Sequence, residues 1–259
     1  MRRLIAFACA GETLLGSLDH AAGSTGLLIV SGGNEVRAGA HRGMASLAAE
    51  VAAAGFPVFR FDRRGVGDSS GINSGYENAR DDLLAALDAF SAAAPQVKRL
   101  VGFGNCDAAS ALLLHAPHRF ARLLLANPWT IAQAGPLPPP AAIRARYAEH
   151  LRDPARWLRL LRGGVNFKKL IKGIGAVVAA RHEPLTALET ALFSALADHP
   201  DARVLLAEGD GTAIAFADAA RRATWTGSVT CVATASHSFA RPQDKAALQA
   251  WVLAGLSQN

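Results

Sequence analysis

Little in this chain can cross-link, coordinate a metal or repeat. Its 259 residues include three cysteines, Cys9, Cys106 and Cys231, too few and too scattered for a disulfide framework. A reducing cytoplasm is therefore the expected setting. There is no CxxC, and no two histidines share ligand spacing on one helix, so a metal is not expected. The 24 glycines and 12 prolines follow no fixed period, which excludes a collagen-like or low-complexity chain. Long apolar runs are missing too. The longest uncharged stretch, residues 123–143, is interrupted by Pro128, Pro136, Pro138, Pro139 and Pro140, whereas a membrane-spanning helix needs about 20 continuous apolar residues. Charged residues make up 19% and aromatics 7%, against 51% hydrophobic residues. That balance excludes disorder and suits one large domain carrying an insertion.

Met1-Arg2-Arg3 before residues 4–10 resembles the start of a secretory signal, but the apolar run stops at Gly11-Glu12. A first strand is the expectation. The net charge of +6 is concentrated in one place: residues 129–181 hold seven Arg and three Lys against Glu149 and Asp153. A charge excess confined to one insertion points to a local anionic partner rather than to nucleic acid. Within it, Trp157, Leu158, Leu160 and Leu161 alternate with Arg159 and Arg162, and Phe167, Leu170 and Ile171 with Lys168, Lys169 and Lys172. Such interleaving suits a membrane surface, placing the protein at the periphery of the inner membrane, or the mouth of an acyl-chain pocket. Solvated arginines on core-facing helices give the same pattern.

Short apolar runs alternate with helical stretches along the chain. Residues 4–10 and 13–18 read as a hairpin turned at Gly11-Glu12. Strands are expected at 27–31, 57–62, 99–103, 123–126, 204–207 and 229–233, and helices at 41–54, 76–94, 107–115, 212–223 and 243–256. Strands separated by helices pair in parallel through right-handed crossovers. The expected class is α/β: a mostly parallel sheet with helices on both faces. Residues 1–128 and 200–259 would form the core, and residues 129–199 a helical lid inserted between two strands.

The candidate chemistry sits at strand ends. The strand at 99–103 runs through Gly104-Asn105-Cys106-Asp107-Ala108 straight into a helix. That order is the context of a nucleophile elbow, whose sharp turn needs small residues two before and two after the apex. Gly104 and Ala108 meet that need, and Cys106 is the apex. A cysteine at a helix N-terminus beside a histidine is poised as a thiolate nucleophile. In the chain order nucleophile, acid, histidine, Asp210 follows the strand at 204–207, with Glu208 a close competitor, and His237 follows the strand at 229–233. His118, His182 and His199 fall at other loops or helix ends and read as structural. After the strand at 27–31, backbone amides at Gly33 and Asn34, with that of Asp107, are candidates to hold a developing oxyanion. The segment from Asp62 to Ser69, DRRGVGDSS with its following serine, reads as mainly structural, its charges pairing within the loop.

On these residues the sequence resembles the α/β-hydrolase superfamily over essentially its full length. The resemblance rests on SGGNE, DRRGVGDSS, the GNCDA elbow, the EGD turn and the SHSF histidine loop, in that order. More narrowly, SGGNEVRAGAHRG with a GNCDAAS elbow is similar to the exosortase A system-associated hydrolase 1 group, associated with bacterial exopolysaccharide and protein-sorting loci. The resemblance implies a cofactor-free hydrolase or acyltransferase with a Cys106, His237, Asp210 triad, acting on a small-molecule ester or thioester. Cysteine in place of the usual serine disfavours ordinary amide hydrolysis and lets acyl transfer compete with hydrolysis. The contrasting expectation is a binding or scaffold protein with a decayed site, docking an acidic partner or membrane through its basic lid.

Overall fold

Period-two alternation in fully apolar strands requires that both faces of a sheet be covered. In Thr25–Val30, Leu27 and Ile29 join one buried cluster while Leu28 and Val30 join another. The computed structural model, which describes residues 1–131 and 184–257, shows the sheet that separates them. Its strands are β1 (Arg2–Cys9), β2 (Glu12–Asp19), β3 (Thr25–Val30), β4 (Val58–Phe61), β5 (Arg99–Asn105), β6 (Arg122–Ala126), β7 (Ala202–Ala207) and β8 (Ser228–Val232). They lie in the order β1-β2-β4-β3-β5-β6-β7-β8. The pairs β1–β2 and β2–β4 are antiparallel, and every other neighbouring pair is parallel.

Numbered over the described residues, the helices are α1 (Gly43–Ala53), α2 (Arg80–Ala93), α3 (Asp107–His115), α4 (Ala187–Asp198), α5 (Gly211–Arg222) and α6 (Pro242–Ser257). Leu47 and Val51 of α1 and Leu248 and Val252 of α6 cover one face. Leu83 and Phe90 of α2, Leu112 of α3, Leu192 of α4 and Phe216 of α5 cover the other. Removing a side chain such as Leu28 from either layer leaves a cavity and costs about 2–5 kcal/mol.

The expected α/β class and mostly parallel sheet are what the fold shows, with shifts at element ends. The hairpin turns on Ala10 and Gly11, one residue earlier than read, because both adopt positive φ (49° and 85°). Two such residues match the strands' twist in a two-residue turn. The helix read at 41–54 begins at Gly43, since His41 and Arg42 are left-handed within a preceding 3-10 turn. The helix read at 76–94 likewise divides into a 3-10 turn, Tyr76–Asn78, and α2. The centre of the expected lid, with its basic-apolar segments around Trp157 and Phe167 and with His182, lies outside the described residues. At its far end α4 is started by a reciprocal cap: Thr186 Oγ1 accepts from the Glu189 amide (3.2 Å) and Glu189 Oε2 from the Thr186 amide (2.8 Å). Phe193 of α4 packs on Phe216 and Trp225, so this helix belongs to the core layer.

The topology also positions the site. From β3 the chain first goes to β4 on one side and later to β5 on the other, and crevices form beyond the carboxyl ends of strands where the order reverses. Val30 lies opposite Gly104 in the β3–β5 register. The turn after β3 and the elbow after β5 therefore share one crevice.

Candidate active site

Cys106 occupies the sharp step between β5 and α3. Its backbone is at φ 63°, ψ −130°, a conformation that costs a non-glycine residue and persists only when its surroundings hold it. They do: the Cys106 amide donates to Ala126 O on β6 (3.0 Å), and its carbonyl accepts from the amides of Ala109 (3.1 Å) and Trp129 (3.3 Å). A Cβ at Gly104 would meet the Ala108 carbonyl carbon and the Ala109 nitrogen at 2.7 Å, and one at Gly32 would meet Asp107 Oδ1 at 2.6 Å. The small residues around the elbow are thus required by backbone contact. Cys106 is half-buried and free.

Asp210 does two things at once. Its Oδ2 accepts from the Thr212 and Ala213 amides (3.1 Å each), capping α5, and lies 3.0 Å from His237 Nδ1. Burial works to raise its pKa, but the His237 hydrogen bond and charge, with the two capping amides, together hold it below the usual carboxylate range. Glu208, the competing acid, is exposed. The bond from His237 Nδ1 to Asp210, and next the neighbouring Cys106 side chain, outweigh the opposing effect of burial and push the His237 pKa up to about 10. The structure thus brings Cys106, His237 and Asp210 together.

The turn after β3 is arranged differently from expectation. The Gly33 amide, expected to face an oxyanion, donates to Asp107 Oδ1 (2.7 Å) and is thereby occupied. Asn34 is exposed, and its Oδ1 accepts from Asn73 Nδ2 (2.7 Å). The Asp107 amide heads α3, where first-turn N–H groups have no acceptor within the helix. Asp62 to Ser69 was read as pairing within itself, yet its bonds run largely outward. Arg63 is buried, donates to the Gly33 carbonyl and lies 3.8 Å from Asp107 Oδ2. Fully buried Asp62 accepts from Arg37, and Arg64 pairs with Asp82.

A cavity of about 400 Å³ opens on Cys106, lined also by Gly33, Tyr76, Asp107, Trp129 and Ile131. Its volume is that of a small-molecule site. Burial, then the neighbouring Glu77, pushes the Tyr76 hydroxyl up to about 12, so it remains protonated. A larger groove of about 600 Å³ runs between β1 and α2 past Cys9. There burial and a hydrogen bond to Asp82 push the thiol up to about 11, which leaves it a poor nucleophile. Burial also raises exposed Cys231. His199 is buried against the Phe120 carbonyl (3.1 Å), away from this chemistry.

Two residues that sequence reasoning passed over reach the site from beneath. Asn105 and Asn127 both donate to the His237 carbonyl, at 3.1 and 3.3 Å. The available signal was weak: an asparagine, fully buried, directly after the apolar run of β6.

The family model described as "Alpha/beta hydrolase family" matches residues 27–249. Among solved structures, the Pyrococcus furiosus esterase Pf2001 superposes with a TM-score of 0.62 at 13% identity, covering 99% of this chain and 90% of that one. A hydrolase from Pseudomonas aeruginosa PA01 gives 0.57 at 21% identity, covering 99% of both chains. DcsB, solved in complex with a substrate analogue, gives 0.61 at 16% identity and 99% of both. At these identities the likeness establishes the α/β-hydrolase fold. No curated protein matches in sequence.

Proposed function

Because the chain belongs to the α/β-hydrolase family, we propose that it cleaves or transfers the acyl group of a small ester or thioester through an acyl-Cys106 intermediate. The observation that carries this reading is the pairing of Asp210 Oδ2 with His237 Nδ1 (3.0 Å), with the His237 ring beside Cys106, the residue that lines an open cavity. With Nδ1 engaged by Asp210, Nε2 is the nitrogen left for proton exchange. Its raised affinity for a proton suits it to take the Cys106 proton as the sulfur becomes the nucleophile.

The thiolate attacks the acyl carbon, forming the C–S bond and moving charge onto the carbonyl oxygen, within reach of the α3 N-terminus and the Asp107 amide. Collapse breaks the bond to the leaving alkoxide or thiolate, which takes the proton from His237. His237, now neutral, removes a proton from water or from a hydroxyl or amine acceptor as that group attacks the thioester. The acyl group departs on the acceptor, and the His237 proton and Cys106 thiolate are restored. The apolar side chains of Trp129 and Ile131 suit an acyl chain. The narrower resemblance carried by SGGNEVRAGAHRG and GNCDAAS extends this proposal to an acyl substrate of exopolysaccharide or exosortase systems.

The test is a screen of the protein against p-nitrophenyl esters and acyl thioesters, with and without hydroxyl acceptors, followed by mass analysis of the quenched enzyme. The expected result is an acyl mass on the Cys106 peptide, absent in Cys106→Ala. Turnover that survives Cys106→Ala unchanged would overturn the reading.

A further inference from the structure

We propose that Asn105 and Asn127 are positioning residues that hold His237 within reach of Cys106, by clamping the backbone oxygen of the histidine itself. The proposal rests on the Cys106–His237–Asp210 reading above. Asn127 is the first residue beyond β6, fully buried and left-handed at φ 41°. Asparagine tolerates that conformation better than almost any other side-chain-bearing residue. Every polar group of its amide is committed. Its Oδ1 accepts from the Ala207 amide at the end of β7 (2.9 Å). Its Nδ2 faces Asn105 Oδ1 (3.1 Å) and the His237 carbonyl (3.3 Å). Its own backbone amide donates to Leu205 O (2.9 Å). Asn105, at the end of β5, sends its Nδ2 to the same His237 carbonyl (3.1 Å).

The His237 oxygen thus accepts two side-chain amide donors, one for each lone pair. Those donors stand on β5 and β6, the strands that also hold the Cys106 backbone, through the Cys106 amide on Ala126. Nucleophile and histidine are therefore referenced to the same pair of strand ends, although 131 positions separate them in sequence. The histidine loop has other anchors as well: the Gly209 amide on Thr234 O (2.9 Å) ties it to the turn after β7, and Thr234 Oγ1 on Asp244 Oδ2 (2.7 Å) ties it to α6. Asp210 orients the ring, whereas the clamp sets where the ring's backbone sits. A loop released from the clamp keeps its aspartate partner and loses its distance to sulfur.

A buried amide that only supports folding predicts a loss of stability with an unchanged site in the molecules that remain folded. The clamp predicts a changed site. The test measures the rate of Cys106 alkylation by iodoacetamide across pH in the full chain, with kcat and KM for the acyl substrate identified by the screen. It compares the wild type with Asn105→Ala, Asn127→Gly and His237→Ala, and fold retention is checked by near-ultraviolet circular dichroism. Asn127→Gly keeps the left-handed backbone, and Asn105→Ala, at a half-buried site, decides the question alone if the other variant unfolds. For each folded asparagine variant, the pH profile of alkylation should move from the wild-type curve towards that of His237→Ala. Its rate at neutral pH and its kcat should fall about ten- to a hundredfold, the scale set by roughly ångström misplacement, with KM little changed. A wild-type profile and kcat in folded Asn105→Ala overturn the clamp, provided His237→Ala does shift the profile. If His237→Ala leaves the Cys106 profile as in the wild type, the triad reading itself fails and the clamp with it.

Discussion

The histidine loop and the turn after β3, the two segments beside the elbow, are held by different kinds of bond. On the histidine side, neutral amides converge on one carbonyl: Asn105 and Asn127 on His237. Charge holds the turn after β3, with Arg63 against Gly33 and Asp107 and Arg37 against Asp62 and Asp68. Neutral hydrogen bonds give direction and are indifferent to salt and pH. Ion pairs taken out of water repay their desolvation only while both partners are present. On the histidine side the charged partner, Asp210, meets the ring itself, while neutral amides hold the backbone behind it.

The largest effect is expected on the histidine side. Cys106→Ala or His237→Ala should each lower acyl turnover by about 10⁴-fold or more, since members of such a unit act together. Asp210→Asn should follow at about 10³- to 10⁴-fold, because it leaves an acceptor for the Thr212 and Ala213 amides but no longer enforces the ring's tautomer. A thermal melt close to that of wild type, with turnover lost, would show that α5 keeps its cap.

The turn after β3 should respond differently. Arg63→Met removes one partner of a buried pair and should cost about 3 kcal/mol of stability. Adding Asp107→Asn should recover part of it, a coupling that chemical denaturation of both single variants and the double variant would measure. Strict additivity would place the two residues in independent roles and break the comparison.

The pH response sharpens the contrast further. His237 binds its proton more tightly folded than unfolded, so its contribution to stability is fully present below the unfolded value of about 6.5. That contribution fades as pH rises through the folded value of about 10. The gap in melting temperature between wild type and His237→Gln should therefore narrow from neutral to alkaline pH. The smallest effect belongs to Asp68→Ala, whose side chain is 69% exposed, and which should change stability by about 1 kcal/mol or less, decreasing with added salt.

Much of this architecture was legible from residue order. Helix α3 at Asp107–His115 was read with its observed bounds, because the elbow residues mark its start and Pro117 its end. At two shifted boundaries a left-handed residue was responsible: Ala10 moved the hairpin turn, and His41 and Arg42 delayed α1. Of the candidate site residues, Cys106, Asp210 and His237 stood out because each follows an apolar strand. Gly33 stood out for the same reason, but its amide is taken by a carboxylate 74 positions away. Arg63 looked like a loop charge because its partners, Gly33 and Asp107, lie on other turns.

Alternation and order, written locally in the chain, determined the α/β class, the parallel crossovers and the succession of cysteine, aspartate and histidine along one sheet edge. Only the assembled sheet decided that Asp210 rather than Glu208 meets the imidazole, that Gly33 is already engaged, and that two asparagines grip His237. Those outcomes depend on which strands become neighbours and in what register. A bond such as that from Asn127 to His237, spanning 110 positions, leaves no periodic trace in the residues between.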